Sequence, residues 1–118
     1  MIFAFNGHVD QVVSGIKTQT RRNSDKYKLG KDYAVQSGRG KPADPRGRIK
    51  ITKIWVELGG TMISEADAKA EGCHQLGHYT PYEYELLYHK MNKLWEKRHC
   101  YEFKFLPTVD SASLRSKE

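Results

Sequence analysis

Between Arg48 and Leu58 the apolar residues change parity. Ile49 and Ile51 occupy odd positions, whereas Ile54, Val56 and Leu58 occupy even ones. Side chains on a strand alternate with a period of two, so an unbroken strand would send the two sets to opposite faces. One face keeps them all only if the strand gains a residue near Thr52-Lys53, as a bulge or sharp bend. Small barrels turn their corners in this way, so the segment directs the chain toward a curved β architecture.

The remaining segments fit around that strand. Ile2, Phe3, Ala4 and Phe5 read as a short first strand. Val9, Val12, Val13 and Ile16 recur at helical spacing over His8 to Ser14, and Gly15 stands where a C-cap belongs. A turn at Gly30 leads into a strand from Asp32 to Ser37, and a Gly/Pro-rich loop from Ser37 to Gly47 carries Arg39, Lys41 and Arg46. Ser64 caps a short helix through Ala70, with Asp67 placed to assist the cap. Thr80-Pro81-Tyr82-Glu83 is a capping box with proline at the first helical position. It opens a helix expected over Thr80 to Arg98, whose stripe of Tyr84, Leu87, Tyr88, Met91, Leu94 and Trp95 reads as core packing. Tyr101, Phe103 and Phe105 alternate in a last strand that Pro107 ends.

One domain at residues 1–107 and a polar tail at 108–118 account for the 118 residues. Apolar residues at 38% supply one core and exclude a disordered chain. No apolar run is long enough for a membrane span, and Met1 to Asn6 lacks the features of a secretion signal, so the expected location is the cytoplasm. A net charge of +6 favours phosphorylated or polyanionic ligands, or is simply a solvated basic surface.

Cys73-His74, His78 and His99-Cys100 contain zinc-ligand types, and His74 to His78 has a ligand spacing. The two cysteines, however, make no local pair. Scattered histidines and half-buried thiols are the simpler reading, and a reducing compartment argues against a disulfide. No metal or other cofactor is expected.

The polar pattern with chemical content is Gly15-Ile16-Lys17-Thr18-Gln19-Thr20-Arg21-Arg22. If Thr20 begins a strand, Thr20 and Arg22 share a face and Lys17 stands on the turn before them. An amine, a hydroxyl and a guanidinium would then converge. From residue types alone, a basic surface loop fits as well.

Gly-x-Lys-x-x-Thr-x-Arg resembles the motif that marks ASCH domains, relatives of the PUA RNA-binding fold. The similarity continues through the Gly30 turn, the strand from Asp32, Asp67-Ala68-Lys69-Ala70-Glu71-Gly72 and the aromatic last strand. It covers the chain to about Leu106. The resemblance implies an α+β fold, a small closed or nearly closed PUA-like β-barrel with flanking helices. It also implies a likeness to small N4-acetylcytidine amidohydrolases, which use a Lys, Thr and Glu constellation. Lys17, Thr20 and Glu71 take those positions and Arg22 matches the motif's arginine. The loop at residues 38–47 and the helix from Thr80 depart from the small enzymes and would reshape the pocket.

In this reading a neutral Lys17 accepts the Thr20 proton as Thr20 attacks an acyl carbonyl, and Glu71 protonates the departing amine or activates water. Arg22 or a backbone N–H steadies the oxyanion. The alternative for Glu71 is an ordinary carboxylate paired to Arg or Lys at the barrel mouth, and that for the basic loop is a solvated surface. Gln36 is expected on a strand facing the site, where it would read a base edge. Tyr33 and Trp55 are candidates for stacking on a pyrimidine, and Arg39, with Lys41, Arg46 and Arg48, for touching phosphate. The partner is then a modified nucleoside, N4-acylated cytidine or cytosine, with no membrane and a monomer or weak dimer. The other class is an RNA-binding ASCH module, with or without ribonuclease activity, that holds a nucleotide without deacylating it.

Overall fold

The computed structural model describes residues 1–3, 7–72, 80–92 and 95–108. In chain order it contains α1 (His8–Ser14), β1 (Gln19–Arg22), β2 (Asp32–Ala34), β3 (Gly47–Leu58), α2 (Glu65–Ala70), α3 (Pro81–Asn92) and β4 (Lys97–Pro107). The strands form one antiparallel sheet in the order β1-β4-β3-β2. The fold is therefore α+β. Its four described strands make an open sheet rather than a closed barrel, because β1 and β2 remain its edges. No described helix is long and apolar enough to cross a membrane.

The parity change resolves into a register shift between Ile51 and Lys53, which leaves Thr52 as the extra residue. Ile49 and Ile51 pair with Phe105 and Phe103; beyond the shift, Ile54 pairs with Tyr101 and Val56 with His99. Directly paired residues share a face, so the whole apolar series lies on one side of the sheet. Only its first half is covered. Ile49 and Ile51 are fully buried with Phe3, Val12, Val35, Tyr101 and Phe103, each burial stabilising by about 1.5–3 kcal/mol. Ile54, Val56 and Leu58 run out into solvent, the last 65% exposed. Where β3 enters the sheet, Gly47 has no room for a side chain. A Cβ there would meet the Leu106 carbonyl oxygen at 2.2 Å and the Phe105 ring at 2.6 Å.

The opposite face of the same strands carries charge. Arg21 pairs with Cys100, Cys100 with Trp55, and Glu57 with Arg98, so all five side chains share that face. α2 and α3 cover it through a second apolar cluster of Ile63, Ala68, Tyr84 and Tyr88.

The helix signals are realised in detail. Gly15 closes α1 in the left-handed conformation at φ 83°. Ser64 Oγ accepts from the Asp67 amide at 3.1 Å, and both halves of the Thr80/Glu83 capping box form at 3.1 Å. The end of α3 departs from expectation. The helix stops at Asn92 instead of Arg98, and β4 begins at Lys97 instead of Tyr101. Lys97 to Cys100 has few strand formers, but both of its sides find partners, Leu58 to Trp55 on one and Arg22 and Arg21 on the other. Those ladders override local propensity. β2 also ends early, at Ala34, after which Val35 enters the core and Gln36 bridges Ile2. Ala4 and Phe5 of the expected first strand, Leu94 of the stripe and the tail from Val109 lie outside the described residues, as does the Met91 side chain.

Candidate active site

The chain enters the site through a short segment strapped on three sides. The Lys17 amide donates to the Gln11 carbonyl of α1, the Thr18 amide to the Ala70 carbonyl of α2, and the Phe103 amide of β4 to the Thr18 carbonyl. Lys17 is thereby carried inward until its side chain is 3% exposed. Glu71, the C-cap of α2, is equally buried and meets it: Lys17 Nζ donates to the Glu71 carbonyl oxygen and, at 3.1 Å, to Oε1. Gly72 turns the chain away at φ 102°, where a Cβ would lie 2.5 Å from Gln11 Oε1 and 3.3 Å from Lys17 Cβ. Glycine is thus required both by conformation and by the closeness of Lys17.

Thr20 and Arg22 project to one face of β1, as the alternation requires. Arg22 Nε donates to Thr20 Oγ1 at 3.1 Å and its Nη2 to the Ile2 carbonyl at 2.6 Å, while its guanidinium lies 5.3 Å from the Phe3 ring. Because the threonine oxygen accepts from Arg22, its own hydrogen is available to a base. The expected arrangement is altered in one respect: the Lys17 amine is bonded to Glu71 rather than leaning on Thr20.

Arg21 faces the other way, and all five of its N–H donors are matched. Nε and Nη2 grip the two oxygens of Glu57 at 3.0 Å each, Nη2 also reaches Asp67 at 3.2 Å, and Nη1 reaches Gln19 at 3.0 Å and Glu71 Oε2 at 2.7 Å. Arg98 continues the chain of charges, donating to Glu57 at 2.8 Å and to both oxygens of Glu85 on α3. Tyr84 on α3 also interacts with Glu71. The Glu71 carboxylate is consequently held at both oxygens, by Lys17 at Oε1 and by Arg21 at Oε2.

These groups surround a cavity of about 300 Å³ at the free edge of β1. Lys17, Thr20, Arg21, Arg22 and Glu71 line it together with Tyr84, Tyr88 and Asn92 of α3, and Phe3 and His8 contribute to the lining. Burial pulls the Lys17 amine below the usual lysine range, Glu71 opposes the shift, and the Arg22 and Arg21 charges reinforce it. Burial raises Tyr84 well above the usual phenol range, and the negative charge of Glu71 adds to the effect.

The other expected contacts lie elsewhere. Tyr33 packs edge-on against Tyr27 at 5.0 Å and its oxygen accepts from the Lys28 amide, so it closes the far side of the core. Gln36 donates to the Lys41 carbonyl within its own loop instead of facing the cavity. Arg39 and Lys41 are exposed and outside the lining, and Arg46 is engaged by Asp44 and Asp10. Trp55 lies under Arg21 at 5.5 Å on the charged face.

Cys73, His74 and His78 lie outside the described residues, among which no three His, Cys, Asp or Glu side chains converge as a metal site. His99 and Cys100 alternate to opposite faces, and burial raises the Cys100 thiol to about 12.

Several lining residues were not anticipated. His8 read only as the start of a helix, and the adjacent arginines gave no sign that Arg21 would anchor Glu71. Tyr84 and Tyr88 carried a signal in being tyrosines on an apolar stripe, since a buried phenol needs a hydrogen-bond partner.

No family model matches the sequence, and no curated protein does. Solved structures do. An ASCH domain from Lactobacillus crispatus superposes with a TM-score of 0.67 over 91% of this chain and 79% of that one, at 16% identity. The chain has the ASCH fold. A DUF984 protein of Enterococcus faecalis matches with a TM-score of 0.61 at 22% identity, over 90% of this chain and 79% of its own. A tyrosine-to-phenylalanine mutant of an ASCH protein from Zymomonas mobilis gives 0.58 at 14% identity, over 99% and 81%. In this ASCH fold the Lys17–Thr20–Arg22 motif borders the cavity, and Glu71 completes it from α2.

Proposed function

We propose that this chain is a metal-independent amidohydrolase that removes the acyl group from the exocyclic amine of N4-acylated cytidine or cytosine. The observation that carries the reading is the buried Lys17–Glu71 pair in one small cavity with the Arg22-held hydroxyl of Thr20. An alcohol attacks an amide only with a base beside it, and an amine serves as that base once its proton is easily lost. Burial moves Lys17 in that direction.

Thr20 Oγ1 adds to the acyl carbonyl while its proton passes to neutral Lys17. Arg22 steadies the developing oxyanion. Lys17 returns the proton, through Glu71 to which it is bonded, to the departing ring amine. The acyl–nitrogen bond breaks, leaving an acyl ester on Thr20 and a free exocyclic amine. Water, activated by the same pair, then releases the acid and restores the hydroxyl.

The cavity size favours a small ligand: about 300 Å³ is at the lower end of the range for small-molecule sites, roughly 300–1,000 Å³. The basic loop with Arg39, Lys41 and Arg46 does not border it, which supports a nucleoside rather than an RNA backbone running along that loop. The test is incubation with N4-acetylcytidine followed by chromatography for free cytidine. Wild type should release it, Thr20→Ala should not, and Thr20→Ser should retain part of the activity. Wild-type turnover by Thr20→Ala would remove Thr20 from the mechanism.

A further inference from the structure

Two tyrosines one helical turn apart on α3 line the cavity, and they differ in one respect. Tyr84 interacts with Glu71. The Tyr88 hydroxyl is buried and has no hydrogen-bond partner among the described residues, in a side chain only 5% exposed. Such a group costs about 1–3 kcal/mol, and phenylalanine would pack the same site without it.

The Tyr88 ring is fixed in place. Trp95 meets it edge-on at 5.5 Å, Tyr84 stacks at 6.3 Å, and the Arg98 guanidinium lies 4.9 Å from its centroid.

Its position along the cavity follows from its neighbours. Tyr84 stands against Glu71 at one end, and Asn92 is held by the Asn23 amide at 3.4 Å at the other. α3 therefore runs alongside β1 in the same sense. Tyr88 falls midway along α3, four residues or about 6 Å of helix from each, and borders the same cavity as Thr20 and Arg22. A pyrimidine whose exocyclic amide lies on Thr20 carries two further acceptors along the same edge, ring N3 and then the C2 carbonyl, and the carbonyl is the one set farther from Thr20, toward a donor elsewhere in the lining.

We propose that Tyr88 determines specificity by donating its hydroxyl hydrogen to the C2 carbonyl of the pyrimidine. The proposal rests on the deacylase reading for the identity of the ring, and it assigns the ring-reading contact of that site. Burial raises the Tyr88 phenol to about 12, so the donor persists through neutral pH.

The test compares N4-acetylcytosine with 4-acetamidopyrimidine, which lacks the C2 carbonyl, on wild type and Tyr88→Phe. Wild type should lose about tenfold in kcat/KM when the carbonyl is removed, and Tyr88→Phe should lose about tenfold on N4-acetylcytosine alone. The variant should be almost unchanged on 4-acetamidopyrimidine, and its melting temperature should equal or exceed that of wild type. Equal slowing of Tyr88→Phe on both substrates, or none on either, would overturn the assignment. Calorimetric binding of cytosine and 4-aminopyrimidine makes the same comparison without turnover. If wild type hydrolyses neither amide, the deacylase reading fails. Tyr88 is then still judged by whether wild type prefers cytosine and Tyr88→Phe does not.

Discussion

Glu57→Gln should be among the most damaging conservative substitutions in the chain, although Glu57 does not border the cavity. Its carboxylate accepts from Arg21 and Arg98, both with side chains 0% exposed. Burial alone would raise its pKa, but the hydrogen bonds and charges of Arg21 and Arg98 outweigh that and hold it at about 2. Against about 4.5 for an unfolded-chain glutamate, this corresponds at neutral pH to about 3 kcal/mol, at roughly 1.4 kcal/mol per pH unit. That agrees with about 3–5 kcal/mol for breaking one side of a buried ion pair. In a chain of this size the melting temperature should fall by roughly 10–15 °C. Trp55 and Trp95 lie beside Arg21 and Arg98, so tryptophan fluorescence in urea is a direct assay. The sign with pH follows from a folded-state pKa below the unfolded one. The stabilisation is complete above about 4.5, declines as pH falls, and is gone below about 2. The gap between wild type and Glu57→Gln should thus be full at pH 7 and less than half by pH 3. A gap under about 0.5 kcal/mol at pH 7, or an equal gap at pH 7 and pH 3, would refute the reasoning.

Other predictions concern the reaction. If neutral Lys17 is the base, kcat/KM should rise with pH on a limb whose midpoint lies below the ordinary lysine value. Lys17→Arg, which keeps the charge but cannot release a proton, should abolish both activity and limb. Deacylation should survive dialysis against a strong chelator, because the base is an amine rather than a metal-bound hydroxide; loss rescued by zinc would contradict this. The Michaelis constant for the nucleoside should change little between low and moderate salt, and removing Arg39, Lys41 and Arg46 together should spare hydrolysis. Tight RNA binding without deacylation, with a log–log salt slope of about −0.7 per phosphate contact, would favour the RNA-module alternative.

Local rules carried much of the fold. The parity change located the bulge at Thr52, and Ser64, Thr80, Glu83 and Gly15 took their capping places. The motif spacing brought Lys17, Thr20 and Arg22 to one cavity, with Glu71 from α2. Long-range pairing was not legible. Lys97 to Cys100 continues a helix-like sequence, and only the ladders with β1 and β3 make it a strand. The same limit hid the division of labour between Arg21 and Arg22. One serves the carboxylates and the other the threonine, because adjacent residues on β1 face opposite sides. Gln36 and Tyr33 were polar or aromatic in the right region, yet each meets its needs locally.

Thr52 acts on the side chains of β3 as a one-letter insertion acts on a reading frame. Everything downstream is re-phased: Ile54, Val56 and Leu58 pass to the apolar side, and Trp55 and Glu57 to the side of Arg21 and Arg98. Deleting that single exposed residue would remove no contact of the catalytic groups themselves. It would instead translate the rest of the strand out of phase and carry Glu57 away from both arginines. Arg21 would then keep only Glu71, Asp67 and Gln19, and Glu71 would become the carboxylate that must balance it. The spacing within an inner strand of the sheet thus governs how the charge of Arg21 is divided between a structural carboxylate and the one at the site.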